Sequence, residues 1–368
     1  MGKVSGDTVL IMAGGTGGHV YPALAVAEVL RQRGWHVAWL GTANGIEARV
    51  VPQQNITLHH ISAVGLRGKS IQKWLAAPWQ LLRSVWQAWR VFQRERPAVV
   101  LGMGGFVSGP GGLCASGLRV PLVIHEQNAV AGTANRLLAR VARCVLTAFP
   151  QVLPRGVFVG NPVRDDIALL SHSPRQPWDG KRPLRLLVVG GSLGARALNT
   201  VLPAALAELT VTERPDVLHQ TGRALHAETQ EQYARAGVQA RIEPYIEDMA
   251  SAYRWADLAI CRAGAMTVSE LACAQLPSLL VPFPHAIDDH QTANARWLSD
   301  AGAAQLLPQT ALTAAAVAQV IRACVEQPSV LNNMMTALRG LATPAAASTV
   351  ADCCEQVARK GKIDDIKN

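Results

Sequence analysis

Apolar residues along this 368-residue chain gather in runs of four or five that stop at glycine or polar loops, and between the runs they recur every three or four positions. Val9-Leu10-Ile11-Met12-Ala13 leads into Gly14-Gly15-Thr16-Gly17-Gly18-His19, and Leu186-Leu187-Val188-Val189 into Gly190-Gly191-Ser192-Leu193-Gly194-Ala195-Arg196. Each run predicts a buried strand feeding a helix through a turn that only glycine lets a ligand approach closely. After the first loop, Leu24, Val26, Ala27 and Leu30 predict a helix reaching Gly34, with Pro22 in its first turn. Val37 to Leu40, Ala98 to Leu101 before Gly102, and Pro121 to Ile124 before His125 predict further strands; Leu184 to Val189, Leu258 to Ile260, and Ser278 to Val281 repeat the pattern in the second half. Strands alternating with helices predict an α/β fold of open parallel sheets, with ligands along the C-terminal strand edge.

Both glycine loops open helices, whose free N–H groups favour phosphate, so two such loops facing each other predict a cleft for a large phosphate-bearing substrate pair. The Pro- and Gly-rich stretch from Ser171 to Pro183 marks the main shift in composition, and the interdomain connection is expected just before it, around Gly160-Asn161-Pro162. The expected division is residues 1–163, residues 164–343, and a C-terminal helix over 344–368 packing back on the first domain. Its polar end, Lys360 to Asn368, is expected to fray.

The 49% hydrophobic and 17% charged content excludes a disordered chain. Seven scattered cysteines, without CxxC or zinc-type spacing, predict a reducing, cytoplasmic setting and no metal; Cys353-Cys354 reads as helix packing. No apolar run approaches the roughly 20 residues of a membrane span. The net charge of +9 fits a phosphate-rich substrate or an anionic membrane surface, and no nucleic-acid recognition motif accompanies it.

A dinucleotide fingerprint requires G-x-G-x-x-G and an acidic residue ending the second strand. Here Val20 stands where the third glycine belongs and the second strand ends in Gly41-Thr42; neither loop carries the G-K-[ST] of a P-loop. Five motifs instead occur in order: Gly14 to His19; Gly102-Met103-Gly104-Gly105-Phe106-Val107-Ser108-Gly109-Pro110-Gly111-Gly112; His125-Glu126-Gln127-Asn128; Gly160-Asn161-Pro162-Val163-Arg164; and Cys261-Arg262-Ala263-Gly264-Ala265-Met266-Thr267-Val268-Ser269-Glu270. With these the chain resembles, over nearly its whole length, the inverting glycosyltransferases of the GT-B fold, whose two Rossmann-like domains with parallel sheets face one another across a cleft. Within that fold it is similar to the bacterial N-acetylglucosaminyltransferases of peptidoglycan synthesis.

The resemblance implies transfer of N-acetylglucosamine from UDP-N-acetylglucosamine to the C4 hydroxyl of an undecaprenyl-pyrophosphoryl-N-acetylmuramyl-pentapeptide, lipid I becoming lipid II, without a cofactor or metal. It implies that the donor is held by Ser192 at the pyrophosphate, the backbone of Ile246 at uracil, the helix start at Ala265, Met266, Thr267, Val268 and Ser269, Glu270 at the ribose, and Gln291 near the sugar. Thr16, Gly17, Gly18, Asn128 and Arg164 join the donor side; Gly14, Gly15, Gly104 and Gly105 receive the acceptor. His19 is the expected general base, with Glu126 as the alternative or as an organiser of its own loop. Some relatives carry tyrosine where this chain has Phe106, so Phe106 is left outside the expected site. Asp288-Asp289 resembles half a metal cluster and is read as loop polarity.

Four of nine tryptophans fall between Ile71 and Phe92. Ile71, Leu75, Pro78, Leu82, Val85 and Trp89 share a helical face, with Arg67, Lys69, Lys73, Arg83, Arg90 and Arg94 nearby. Trp74, Leu75, Trp79, Leu82 and Trp86 are the expected contact with an anionic membrane surface, which implies a peripheral protein on the cytoplasmic face of the inner membrane; a core helix with a basic outer face is the alternative. Other cell-wall synthesis proteins are expected partners. A UDP-sugar epimerase on the same fold, and a non-catalytic scaffold subunit, are the competing readings; the first would not need the tryptophan surface, and two intact half-sites argue against the second.

Overall fold

Strand β1 (Thr8–Met12) is apolar at every position from Val9 because both of its faces are covered, as in sheets flanked by helices on either side. Val9 and Ile11 pack toward helix α1 (Gly17–Gln32), while Leu10 and Met12 pack toward helix α3 (Ala77–Glu95) and helix α4 (Ser108–Gly117). The computed structural model describes residues 7–63, 77–173, 175–191 and 193–360. They form two units, Met1–Arg164 with Ala345–Asn368, and Asp165–Pro344.

The first unit is built on a seven-stranded sheet in the order β3-β2-β1-β4-β5-β6-β7, every pairing parallel. Its remaining strands are β2 (His36–Gly41), β3 (Thr57–His60), β4 (Val99–Gly102), β5 (Leu122–Glu126), β6 (Cys144–Thr147) and β7 (Val157–Phe158). Helices α2 (Glu47–Gln53) and α5 (Thr133–Leu138) complete the connections. The C-terminal helix Ala346–Lys360 buries Val350, Ala351, Cys353, Cys354 and Val357 in the same core as α1. Cys353 and Cys354 are fully buried there. The end of the chain expected to fray, residues 361–368, lies outside the described residues.

Pro22 does not sit in the first turn as expected. It is the sixth residue of α1, and the helix accepts it at the cost of one backbone hydrogen bond. Gly34, at φ +90°, ends that helix, with Trp35 N–H returning to Leu30 O at 3.0 Å.

The second unit carries a six-stranded parallel sheet, β10-β9-β8-β11-β12-β13. The strands are β8 (Arg185–Val189), β9 (Asp216–Gln220), β10 (Arg241–Glu243), β11 (Leu258–Cys261), β12 (Ser278–Leu280) and β13 (Ala304–Leu306). Helices α6 (Arg196–Ala207), α7 (His226–Ala236), α8 (Met249–Trp255), α9 (Ala265–Cys273), α10 (His290–Ser299), α11 (Ala314–Glu326) and α12 (Ser329–Arg339) surround it. Leu186 and Val188 meet Leu198, Leu202 and Leu206 of α6 and Val317 and Ile321 of α11.

In both sheets the strand order reverses direction beside the first strand, between β1 and β4 and between β8 and β11. Crevices for ligands form at such reversals, outside the strand C-termini. The register sets Met12 beside Gly102, and Val189 beside Cys261, so the motif loops following them start side by side within each unit.

Candidate active site

The first glycine loop is held from beneath by a carboxylate. Glu47, fully buried at the start of α2, accepts from Gly15 N–H at 3.0 Å, Thr42 N–H at 2.9 Å and Thr42 Oγ at 2.7 Å. Gly14, Gly41 and Gly45 surround it so closely that a Cβ on any of them would fall within 2.7 Å of its side chain. Above this anchor Gly15 adopts φ +90°, and Thr16 starts α1 without capping it by its side chain, leaving the N–H groups at Gly17 and Gly18 for a ligand. Gly105, at φ +83°, lets the second loop lie against the first, since a Cβ there would stand 2.2 Å from Gly14 O.

His19, half-buried in the first turn of α1, places Nδ1 2.9 Å from Gln127 Oε1. Gln127 and His125 are both fully buried. Burial lowers the His125 pKa from 6.5 to about 4, against the opposing pull of the Gly160 carbonyl, which lies 2.8 Å from its Nε2. Gly104 closes over His19: a Cβ there would lie 2.7 Å from His19 Nδ1.

Glu126 is also buried, and its carboxylate accepts from Asn128 N–H at 3.0 Å, Gly132 N–H at 3.0 Å and Asn135 Nδ2 at 2.9 Å. Those three donors tie the β5–α5 loop together and occupy both carboxylate oxygens of Glu126. Asn128 sits half-buried in that loop, and Arg164, half-buried, ends the first unit.

In the second unit the β8–α6 loop is shaped by close backbone packing and by the buried Gln220, whose Nε2 donates to Gly191 O at 2.9 Å. A Cβ on Gly194 (φ +77°) would stand 1.9 Å from Thr221 O, and one on Gly222 (φ +82°) would stand 2.6 Å from Leu193 O, so the two loops touch main chain to main chain. Ser192, expected at a pyrophosphate, lies outside the described residues. Beside this loop α9 begins at Ala265 after Gly264, with no side chain capping it. Met266 and Thr267 are half-buried in its first turn. Val268 is buried with its N–H bonded to Gly264 O at 3.0 Å, and the Ser269 hydroxyl donates to Ala265 O at 3.0 Å.

Glu270 lies half-buried one turn further on and accepts from Tyr253 Oη at 2.8 Å. Ile246, half-buried, follows β10 on the strand edge that carries these loops. Gln291 uses Oε1 to accept from Phe283 N–H at 2.9 Å, fixing the loop after β12. Arg262 braces the same loop, donating to Val281 O, Pro282 O and Gln309 Oε1 with its guanidinium 5.5 Å from the Phe283 ring. Asp289 Oδ1 accepts from the Thr292 hydroxyl at 2.7 Å, and the described residues hold no group of three metal-ligating side chains.

Helix α3 turns its tryptophans outward. Trp79 is 73% exposed, Leu82 63% and Trp86 53%, with Trp89 also exposed, while Ser84, Ala88, Val91 and Phe92 face the core. The helix thus joins the core along one face and exposes its tryptophans and arginines on the other. Arg90 stacks over Trp86 at 5.0 Å. Trp74 and Leu75, with Arg67, Lys69, Ile71 and Lys73, lie outside the described residues. No described helix is long and apolar enough to cross a membrane.

The Glycosyltransferase family 28 N-terminal domain matches residues 9–147, and the Glycosyltransferase family 28 C-terminal domain matches residues 185–356. The UDP-N-acetylglucosamine–N-acetylmuramyl-(pentapeptide) pyrophosphoryl-undecaprenol N-acetylglucosamine transferase of Chromohalobacter salexigens is 56% identical over 351 residues, 94% of this chain and 96% of that protein. The protein of the same name from Azotobacter vinelandii is 56% identical over 357 residues, 96% of this chain and 99% of its own length. The crystal structure of MurG from Acinetobacter baumannii superposes with a TM-score of 0.81 at 41% identity, covering 95% of this chain and 99% of that one. With both domains matched in order and more than half of its residues shared with named transferases, the chain belongs to glycosyltransferase family 28.

Proposed function

We propose that the chain transfers N-acetylglucosamine from UDP-N-acetylglucosamine to the C4 hydroxyl of undecaprenyl-pyrophosphoryl-N-acetylmuramyl-pentapeptide, with inversion at the anomeric carbon. The reading is carried by the 56% identity to transferases of that name, which extends through nearly the whole chain. It favours transfer over the epimerase and scaffold readings.

The second unit binds the donor. The N–H groups opening α9 and the β8–α6 loop meet the diphosphate, Glu270 accepts from the ribose hydroxyls in the orientation Tyr253 gives it, and Ile246 and Gln291 flank the uracil and the sugar. In the first unit Gly14, Gly15, Gly104 and Gly105 receive the acceptor, and Thr16, Gly17, Gly18, Asn128 and Arg164 are further contacts for the donor. The C4 hydroxyl passes its proton to His19 Nε2 as its oxygen bonds to the anomeric carbon, and the bond to the departing UDP breaks. The helix N–H groups stabilise the charge that develops on the diphosphate.

The outward tryptophans of α3, with Arg83 and Arg90 beside them, rest on the anionic cytoplasmic surface of the membrane that holds the acceptor's lipid, beside other cell-wall synthesis proteins. The test is incubation with labelled UDP-N-acetylglucosamine, with and without lipid I, following glycolipid and UDP together. Lipid-dependent appearance of both, undiminished by EDTA, is expected; altered sugar nucleotide without the acceptor would replace the reading with an epimerase.

A further inference from the structure

We propose that Gln127 is a positioning residue that sets which ring nitrogen of His19 carries the proton, through a chain of hydrogen bonds that starts at the Gly160 carbonyl. The proposal rests on the reading of His19 as the base.

The direction of each bond follows from groups that can only accept. Gly160 O lies 2.8 Å from His125 Nε2, so that nitrogen bears hydrogen. The buried His125 ring is neutral, its pKa lowered to about 4, which leaves Nδ1 bare. Gln127 Nε2 is 3.1 Å from that Nδ1 and 3.1 Å from the His125 carbonyl oxygen. Two acceptors therefore fix the NH2 end of the Gln127 amide; the flipped amide would press an oxygen against both. Oε1 consequently faces His19, 2.9 Å from Nδ1, and it too can only accept. His19 Nδ1 must donate, and in the neutral ring Nε2 is left with its lone pair and no protein partner among the described residues.

Free histidine in water favours the opposite tautomer, in which Nε2 is protonated and useless as a base from that side. The buried amide overrides that preference. Asn161 Nδ2 donates to Gln127 O at 3.1 Å and steadies its backbone, while the missing side chain at Gly104 (φ +96°) lets the main chain close on the contact. The chain of bonds also explains why His125-Glu126-Gln127 and Gly160-Asn161, far apart in sequence, meet at one place. A base held in the wrong tautomer keeps its shape and loses its turnover.

The experiment is 15N NMR of histidine-labelled protein, with His19 assigned by difference against His19→Gln, alongside steady-state kinetics and melting curves. In the unmodified protein, at a pH where His19 is neutral, protonated Nδ1 and bare Nε2 are expected; the reverse overturns the proposal even if no variant folds. Gln127→Met, similar in length and without an acceptor, is expected to shift the ring toward Nε2–H. Its kcat should fall on the order of tenfold to a hundredfold with KM for both substrates within about twofold, less than the full loss of a general base. An unchanged tautomer in Gln127→Met, with or without loss of kcat, overturns the proposal. Turnover retained in His19→Ala removes the base reading itself; turnover lost there, with the tautomer of Gln127→Met unmoved, removes only the role of Gln127.

Discussion

Two loops in this chain begin with paired glycines after a buried strand, yet they are held in different ways. In the first unit, buried side chains do the holding: Glu47 grips Gly15 and Thr42 from below, and the Gln127–His125 pair grips His19 from the side. In the second unit main chain packs on main chain, Gly194 against Thr221 and Gly222 against Leu193, and the buried Gln220 and Asn199 amides donate to the Gly191 and Thr221 carbonyls, with Leu193 itself 86% exposed. The difference follows the proposed chemistry. Proton transfer needs one side chain fixed in angle and tautomer, which takes directional hydrogen bonds to that side chain; binding a diphosphate needs N–H groups left open, and in the second unit the buried amides bond carbonyl oxygens instead.

The largest break in that comparison is His19→Ala. Turnover is expected to fall by roughly 10²- to 10⁴-fold, the usual contribution of a general base, while UDP binding measured by calorimetry stays near that of the unmodified protein. A matching loss of UDP affinity would show that the two units do not divide the work in this way.

Next in size is an acid effect shared by both units. Burial lowers the His125 pKa from 6.5 to about 4 and the His219 pKa from 6.5 to about 3, so the folded protein keeps both rings neutral where the unfolded chain protonates them. The unfolded state binds more protons in that window, so stability falls as pH drops below about 6.5, by about 1.4 kcal/mol per unit of pH for each ring, and the loss is complete once pH passes the folded pKa. Thermal melts from pH 7 to pH 5 measure it. His219 is held by Tyr233 Oη and Asn199 Oδ1, and a flat melting temperature across this range would contradict neutral burial of both rings.

How far the sequence revealed this arrangement depends on burial. Strands β1, β4, β5, β8, β11 and β12 are legible because each is covered on both faces and reads as an unbroken apolar run. β3, Thr57-Leu58-His59-His60, is an edge strand with no buried residue and carries no such signal. β9 hides for a different reason: its His219 and Gln220 are buried, but hydrogen-bonded partners more than ten residues away make that burial affordable. The glycine loops and His19 were legible as residue patterns. Glu47 and Tyr253 were not, since a carboxylate 32 residues beyond Gly15 reads as a solvated helix residue until the fold closes over it.

Glu47→Gln sharpens the contrast with less force. Either orientation of the new amide points an NH2 at a donor that now bonds the carboxylate, leaving at least one N–H beside the buried side chain unmatched, a cost of about 1 kcal/mol because Gly15 and Thr42 are not fully buried. Denaturant unfolding should register that loss, and UDP affinity in the second unit should be unchanged. Equal stability would mean that the glycine loop holds its shape without the carboxylate.

The smallest expected effect tests why the unit with the base also carries the outward face of α3. Arg83 is exposed and hydrogen-bonded to no described residue, so Arg83→Gln should leave the melting temperature where it is. If that face rests on an anionic bilayer, one basic residue contributes about 1 kcal/mol, near fivefold in vesicle affinity at low salt. The difference between Arg83→Gln and the unmodified protein should shrink as ionic strength rises and the Debye length falls below about 10 Å, because only the charge has been removed. The apolar contribution of Trp79 and Trp86 remains, so binding to vesicles of neutral lipid should be the same for both proteins. Turnover with a short-chain soluble acceptor should also be unaffected, since Arg83 is far from His19 in sequence and sits on the outward side of its helix. Equal vesicle affinity at low salt would remove the electrostatic part of the docking proposal, and a fall in turnover with the soluble acceptor would assign Arg83 to the acceptor site instead of the membrane.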